Sequence, residues 1–158
     1  MELQFKRLSD HKKVELKEYC ETVISNFLEK NPHDKLKIYV GTDSQNHRGV
    51  TIFATVIVFH YGNHGGHVLF AKETKKRFPD TQSRLWQEVM YSIDTAVELK
   101  EKIGVQVNYI DLDLNPDPKY KSNEVLRAAI GMVESMGFEA RVKSLGPYSA
   151  IMADVLCR

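Results

Sequence analysis

The chain has 158 residues, of which 42% are hydrophobic and 27% charged, and this composition is typical of a folded domain rather than a disordered, collagen-like or coiled-coil chain. Lysine and arginine together number 22, and aspartate and glutamate 21. The resulting formal net charge of +1 provides no global field that would attract a polyanion or an anionic membrane. Any contact with nucleic acid therefore has to come from a local basic patch.

No segment of the sequence predicts secretion or membrane insertion. The longest apolar run, residues 50–59, is about half as long as a membrane-spanning helix and is rich in β-branched residues, so it predicts a buried strand. The first residues lack the zones of a signal peptide. The two cysteines, Cys20 and Cys157, form no CxxC motif and stand far apart, which favours reduced, structural thiols. We expect a cytoplasmic protein with no membrane partner.

An amphipathic helix is predicted first, over residues 9–30. Apolar residues recur there at helical spacing, and Asn31-Pro32 ends the pattern. No linker, repeat or low-complexity tract follows. We therefore expect one domain over residues 1–158, with residues 1–34 as a helical appendage and residues 36–158 as the core.

The core begins with three predicted strands and then alternates between helices and strands. Residues 36–43 and 67–75 alternate, the apolar run 50–59 lies between them, and turns separate the three segments, which indicates an antiparallel meander. Further elements are predicted as a helix over 80–102, a strand over 105–114, a helix over 122–136, a strand over 138–143 and a helix over 149–158. The order β-β-β-α-β-α-β-α indicates an α/β fold, a mixed five-stranded sheet with helices on both faces.

Acidic residues stand at the ends of two predicted strands. The first strand ends at Asp43, and the fourth carries Asp111 and Asp113 on one face. Because sites in α/β sheets form beyond the carboxyl ends of parallel strands, these acids converge if the two strands are adjacent and parallel. Glu88 lies at the flank of the apolar stripe of the intervening helix, and Asp154 lies within the apolar last helix.

Converging carboxylates of this kind point to a divalent cation. A pair of carboxylates about 4 Å apart repels by roughly 4 kcal/mol at an effective dielectric constant near 20, so the cluster needs a counter-charge. Oxygen-only ligands favour Mg²⁺ or Mn²⁺ over zinc. Two such ions about 3.5–4 Å apart activate a water and stabilise the leaving oxygen in phosphodiester hydrolysis. Any one of these acids taken alone is more often a turn or capping residue, so the hypothesis depends on their combination.

The positions of Asp43, Glu88, Asp113 and Asp154 on strand one, the first crossover helix, strand four and the last helix resemble the ribonuclease H fold. The segments Ile38-Tyr39-Val40-Gly41-Thr42-Asp43-Ser44-Gln45, Ile110-Asp111-Leu112-Asp113, Glu134-Ser135-Met136-Gly137-Phe138-Glu139 and Ser149-Ala150-Ile151-Met152-Ala153-Asp154 narrow this to a resemblance to the YkuK-type ribonuclease-H-like family. The resemblance covers roughly residues 36–158.

The resemblance implies roles for the acids. Asp43 would bridge the metal ions, Glu88 and Asp113 would complete the set of ligands, and Asp154 would bind a second ion or position water. Asp111 occupies a position that is often histidine in the family, so Asp111 and Asp113 compete for one role, and we prefer Asp113.

Several polar and basic residues are candidates for binding phosphate. Lys119 and Lys121 follow the fourth strand, and Ser122 opens a helix whose backbone N–H groups can receive an anion. The densest basic run, residues 72–77, has a second interpretation as a solvated strand edge that discourages aggregation. The complete set of phosphate or nucleic-acid candidates is Ser44, Lys75, Lys76, Arg77, Lys119, Lys121 and Ser122.

We therefore expect a Mg²⁺- or Mn²⁺-dependent nuclease that uses metal-activated water to hydrolyse phosphodiester bonds of RNA or structured DNA. Two alternatives remain open. One is a non-catalytic module that binds nucleic acid or protein, which the near-neutral charge keeps plausible. The other is a hydrolase or transferase for a small phosphorylated compound.

Overall fold

The computed structural model describes residues 3–30, 35–61, 66–113 and 122–142, with only the backbone described at Ser122. The elements in chain order are β1 (Lys6–Arg7), α1 (Leu16–Lys30), β2 (Leu36–His47), β3 (Val50–Tyr61), β4 (Gly66–Lys76), α2 (Thr81–Glu98), a π-helical segment (Leu99–Ile103), β5 (Tyr109–Leu112), α3 (Ser122–Ser135) and β6 (Ala140–Val142). The predicted last helix and the phosphate candidates Lys119 and Lys121 lie outside the described residues.

The strands form one mixed sheet in the order β1-β4-β3-β2-β5-β6. The pairs β2–β3 and β3–β4 are antiparallel, which confirms the predicted meander, and β5 pairs in parallel with β2 and with β6. The sheet has six strands rather than five because Lys6–Arg7 pairs with the outer edge of β4. A two-residue strand is too short to show an alternating pattern in the sequence.

The two faces of the sheet are covered differently among the described residues. One face, which we call the helical face, carries Ile38, Ile57, Leu69 and Ile110 and packs against buried residues of all three helices. The opposite face carries a smaller cluster of strand residues with Leu8 at its margin, namely Tyr39, Ala54, Val56, Val58, Phe70, Val68 and Tyr109. No helix among the described residues is long and apolar enough to cross a membrane.

Several predicted boundaries differ from the structure, and two of them have a clear local reason. Helix α1 begins at Leu16 rather than near residue 9, because Phe5 is buried in the core and the backbone N–H of Val14 donates to its carbonyl. Strand β5 begins at Tyr109 rather than at residue 105. The side chain of Asn108 accepts a hydrogen bond from the backbone N–H of Ile38, and regular pairing with β2 starts only after it.

The N-terminal cap of α2 fixes where the helix begins and so helps to position Glu88. Asp80 is its N-cap, and its side chain accepts a hydrogen bond of 2.7 Å from the backbone N–H of Ser83. Leu85, Glu88 and Ser92 follow at helical spacing and are all buried against the sheet. On the side that faces the sheet, α2 therefore carries one carboxylate among apolar side chains and hydroxyl groups.

Candidate functional site

Asp43 and Asp113 stand at matching positions of two adjacent parallel strands, where β5 has ended but β2, contrary to the prediction that it ends at Asp43, continues to His47. Gly41 of β2 is the partner of Asp111 of β5 in the parallel register. Two residues further along stand Asp43, within β2, and Asp113, just past the end of β5, and strand alternation puts Asp43 on the face opposite the helices. Both side chains are half-buried, and Oδ1 of Asp43 accepts a hydrogen bond of 2.8 Å from the backbone N–H of Ser44.

Glu88 approaches these acids from α2, and only 4% of its surface is exposed. Burial raises its pKa well above 4.5, and the nearby charge of Asp43 raises it further. The charge of Asp113 acts in the same direction, whereas a hydrogen bond from Ser44 and the charge of Arg84 lower the pKa. The structure thus brings Asp43, Glu88 and Asp113 within electrostatic reach of one another from three separate elements.

A serine and an arginine hold Glu88 in place. The Ser44 hydroxyl donates to Oε2 of Glu88 at 2.8 Å. Nη1 of Arg84 donates to both the backbone carbonyl and the hydroxyl oxygen of Ser44, each at 3.0 Å. Ser44 is buried, so in this arrangement its hydroxyl supports the carboxylate. The sequence analysis did not identify Arg84, although its i, i+4 spacing to Glu88 was a signal that could have found it.

Buried hydroxyl groups continue from this site between β2 and α2. Oγ1 of Thr42 lies 2.8 Å from Oγ of Ser92 and 3.0 Å from Oγ1 of Thr55. A cavity of about 10 Å³ is bordered by Thr42, Glu88, Ser92 and the acids of β5. This volume is about that needed for one water-sized group.

Asp111 has a different environment from Asp113. Its side chain is fully buried, and its two carboxylate oxygens accept hydrogen bonds from Nε and Nη2 of Arg141 at 2.7 and 3.0 Å. The guanidinium carbon of Arg141 lies 4.4 and 4.9 Å from the ring centroids of Tyr39 and Tyr109. Asp111 therefore joins β5 to β6 through a two-point ion pair.

The basic candidates on β4 and just after it are separated by strand alternation. Nζ of Lys75 lies 5.3 Å from the ring centroid of Tyr91, on the helical face. Lys76 is exposed on the opposite face. Arg77 is exposed and donates from Nη1 to the carbonyl of His47.

Three further candidates have no described side chain. Lys119, Lys121 and Asp154 lie outside the described residues. Ser122 is the first residue of α3, as predicted for the helix, and its side chain is not described.

The acids fit a hard divalent cation by donor chemistry. Carboxylate oxygens are the ligands that Mg²⁺ and Mn²⁺ prefer, and the charges of Asp43 and Asp113 both raise the pKa of Glu88. Within residues 3–30, 35–61, 66–113 and 122–142, however, no three His, Cys, Asp or Glu side chains form a ready-made metal cage. Asp43, Glu88 and Asp113 are the predicted ligands that the structure brings near one another, and Asp154, the fourth acid expected from the sequence, lies outside the described residues.

Comparison with known proteins gives a family and a distant structural likeness. The sequence matches the profile of the family described as "Ribonuclease H-like" over residues 19–157. It is also similar to the crystal structure of RNase H1 from the halophilic archaeon Halobacterium salinarum NRC-1, with 13% identity, 75% of this chain and 98% of that chain covered, and a TM-score of 0.40. No curated protein matches the sequence.

Proposed function

Because the chain belongs to the ribonuclease H-like family, we propose that it is a Mg²⁺- or Mn²⁺-dependent hydrolase of phosphodiester bonds in RNA or structured DNA. The family supports a nuclease-like or nucleic-acid-binding role. The proposal adds two claims: that the protein is catalytic, and that catalysis requires a metal ion.

The observation that carries the proposal is the position of Glu88. A glutamate with 4% exposure is costly in a protein unless it is paired or has a function. Here two aspartates from different strands add negative charge to its surroundings. A buried carboxylate with a strongly raised pKa and acidic neighbours is typical of catalytic and metal sites.

Asp43, Glu88 and Asp113 would hold the cation, with Asp154 as a proposed fourth ligand. When bound, the cation would supply the counter-charge for the carboxylates and lower the pKa of a water that attacks phosphorus. The chain itself orients the site: Ser44 holds one oxygen of Glu88, and Arg84 holds Ser44. We assign the role on β5 to Asp113 rather than Asp111, since both oxygens of Asp111 accept hydrogen bonds from Arg141.

The proposal is tested by cleavage of a labelled substrate panel with Mn²⁺, namely RNA–DNA hybrid, duplex RNA, single strands and branched DNA. We expect the wild type to cleave at least one of them and Asp43→Asn to lose at least about a hundredfold in rate, since it removes a ligand of the reacting centre. Asp94→Asn is the matched control, because Asp94 is exposed on α2. Equal cleavage by wild type and Asp43→Asn would indicate a contaminating nuclease and contradict the proposal.

One observation favours a second candidate, a non-catalytic module that binds nucleic acid. The described acids do not form a ready-made metal cage. A module of this kind would bind oligonucleotides without cleaving them, and neither Mn²⁺ nor Asp43→Asn would change its affinity. The same substrate panel, measured by both binding and cleavage, separates the two candidates.

A further inference from the structure

The outer edge of β4 is only partly covered by another strand. β1 is two residues long and pairs with β4 at Leu69 and Phe70, whereas β4 continues to Lys76. Beyond Phe70, no strand of the described residues pairs with β4 on the side away from β3. Residues 71–76 therefore form an open strand edge, which we call the β4 edge.

Alternate residues of β4 direct their main-chain groups outward along this edge. The backbone N–H of Leu8 donates to the carbonyl of Val68 at 2.9 Å, so the polar backbone groups of Val68 point toward β1. Successive residues of an antiparallel strand direct these groups to opposite sides, because hydrogen-bonded and non-hydrogen-bonded pairs alternate along the ladder. The N–H and C=O groups of Lys72, Thr74 and Lys76 therefore point away from β3.

The hydrogen bonds around the end of β4 agree with this parity. The N–H of Arg77 donates to the carbonyl of Gly49 beside β3, as expected for a position one residue after Lys76. Among the described residues, no backbone hydrogen bond outside the regular strands and helices involves Lys72, Thr74 or Lys76. All three residues are exposed, so their outward main-chain groups are accessible to a partner.

The side chains of the β4 edge are mostly cationic. Lys72 and Lys76 are exposed and lie on the face opposite the helices, and the exposed Arg77 follows them. Lys75 lies on the helical face, over the ring of a tyrosine of α2. Glu73 is the acid of this run. An edge of this charge favours a neighbouring strand that carries acids, since opposite charges on adjacent strands stabilise their pairing.

The same charges oppose pairing of the β4 edge with a second copy of itself. A two-fold axis through Thr74 would place Lys72 of one copy opposite Lys76 of the other. An axis through either lysine would place that lysine opposite its own copy. Like charges directly opposite each other destabilise a strand pair, and lysines on an edge discourage self-association for this reason. The charges therefore favour an acidic strand over a second β4.

A strand also suits this edge better than a nucleic-acid backbone does. Each of the outward residues Lys72, Thr74 and Lys76 offers one N–H donor and one C=O acceptor. A phosphate group supplies acceptor oxygens, so it leaves the carbonyls without a donor. The main chain of an extended peptide supplies both donors and acceptors at the spacing of the edge.

From these observations we infer that the β4 edge binds an extended acidic segment of a partner protein, which joins the sheet as an added strand. Main-chain hydrogen bonds to the outward residues hold the segment, and acids four positions apart on it face Lys72 and Lys76. The inference is independent of the proposed hydrolysis, because none of the described residues proposed to bind the metal ion lies on β4.

The test uses the full chain and a synthetic peptide of about seven residues that alternates threonine with glutamate and has blocked ends. Amide hydrogen exchange measured by NMR should slow by at least about tenfold at Lys72, Thr74 and Lys76 when the peptide saturates the protein, because their N–H groups become hydrogen-bonded. The amides of Glu73 and Lys75 already face β3 and serve as the internal control.

Two changes test whether the main chain carries the binding. The same peptide with a methylated main chain keeps its charge but cannot donate hydrogen bonds, so it should not bind. Thr74→Pro removes an outward N–H, which an edge strand tolerates because that N–H takes no part in the ladder with β3. We expect it to weaken binding by at least about tenfold, whereas the matched control Thr74→Ala keeps the N–H and should bind as the wild type does.

A pair of double variants tests the contribution of charge. Lys72→Gln/Lys76→Gln removes both lysines that face the acids of the peptide, and we expect it to weaken binding by about fivefold. Lys17→Gln/Lys102→Gln removes the same charge from exposed lysines on α1 and in the π-helical segment. Its affinity should stay within about twofold of the wild type.

Slower exchange at the three outward amides that requires both the peptide main chain and the two lysines would support the inference. Equal binding of the methylated peptide would reduce the effect to charge attraction and overturn it, as would absence of binding to the wild type at about 1 mM peptide. If Thr74→Pro does not fold, the methylated peptide decides the same question with the unaltered protein. Slower exchange of these amides with an RNA of about 20 nucleotides, but not with the peptide, would assign the edge to nucleic acid and also overturn the inference.

Discussion

Asp111 and Arg141 form a two-point ion pair across the parallel strands β5 and β6, with Oδ1 and Oδ2 accepting from Nε and Nη2 at 2.7 and 3.0 Å. The side chain of Asp111 is buried and that of Arg141 is 12% exposed, and the guanidinium also contacts the rings of Tyr39 and Tyr109. Burial lowers the pKa of Arg141, but the hydrogen bond to Asp111 and the negative charge of that carboxylate outweigh burial and raise the pKa above its usual value. Arg141 therefore stays charged at physiological pH.

Removing the arginine from this pair should be strongly destabilising. Arg141→Met would leave the carboxylate of Asp111 buried without its ion-pair partner, and the free energy of unfolding should fall by about 3–5 kcal/mol. Arg141→Lys keeps a positive charge but loses the two-point geometry, so we expect a smaller loss. Urea unfolding followed by circular dichroism measures both. A loss below about 1 kcal/mol for Arg141→Met would show that the pair contributes little to the fold.

The link from Ser44 to Glu88 should also contribute to stability. Ser44→Ala removes the hydroxyl that donates to Glu88 and accepts from Arg84. Glu88 lies in the folded interior and Arg84 lies at its edge. We expect the free energy of unfolding to fall by about 1–3 kcal/mol. Ser135→Ala is the control, since Ser135 is exposed at the end of α3. Equal effects of the two substitutions in urea unfolding would contradict a special role for Ser44.

Glu88 should make stability depend on pH. Its pKa in the folded protein is raised above 4.5 by burial and by Asp43, so the folded state binds more protons than the unfolded chain between these two pKa values. The contribution of Glu88 to the free energy of unfolding is therefore greatest below about pH 4.5 and falls as the pH rises through the pKa of Glu88 in the folded protein.

Glu88→Gln removes this titration while keeping an oxygen that accepts from Ser44. Without divalent cation, we expect the variant to melt at a higher temperature than the wild type near neutral pH, with a difference that shrinks toward pH 4. Thermal melts from pH 4 to 8 measure it. A difference that does not change with pH would show that Glu88 ionises as readily in the folded as in the unfolded state.

The sequence predicted the parts of the fold and site that depend on local pattern. Alternation predicts that Asp43 lies on a strand, and helical spacing predicts that Glu88 lies on the helix between that strand and β5. In the structure, Asp43 lies on β2 and Glu88 lies on α2. The parallel pairing of β2 with β5 brings Asp43 toward Asp113, as expected for neighbouring strands. These features follow from strand and helix periodicity, which a single sequence displays.

Other features depend on which residues meet across elements, and the sequence does not display that. Asp111 and Asp113 are two residues apart, so alternation predicts the same face for both and does not distinguish them. In the structure their environments differ because Arg141 on the neighbouring strand β6 forms an ion pair with Asp111. Lys75 and Lys76 are neighbours in one basic run, and only the contact of Lys75 with Tyr91 of α2 shows which of the two lies on the helical face. The role of Ser44 similarly depends on the position of α2 over β2.

A thermal titration with Mn²⁺ should distinguish the two aspartates of β5. A ligand at a hundred times its dissociation constant stabilises the folded state by about 2.7 kcal/mol, so Mn²⁺ should raise the melting temperature of the wild type. Asp113→Asn should lose most of this rise, whereas Asp111→Asn, although less stable from the outset, should keep it because Asp111 is engaged with Arg141. Asp94→Asn, an exposed substitution on α2, controls for the loss of one negative charge. Addition of EDTA should reverse the rise. If the rise persists in Asp113→Asn and disappears in Asp111→Asn, the assignment of the metal ligand to Asp113 is wrong.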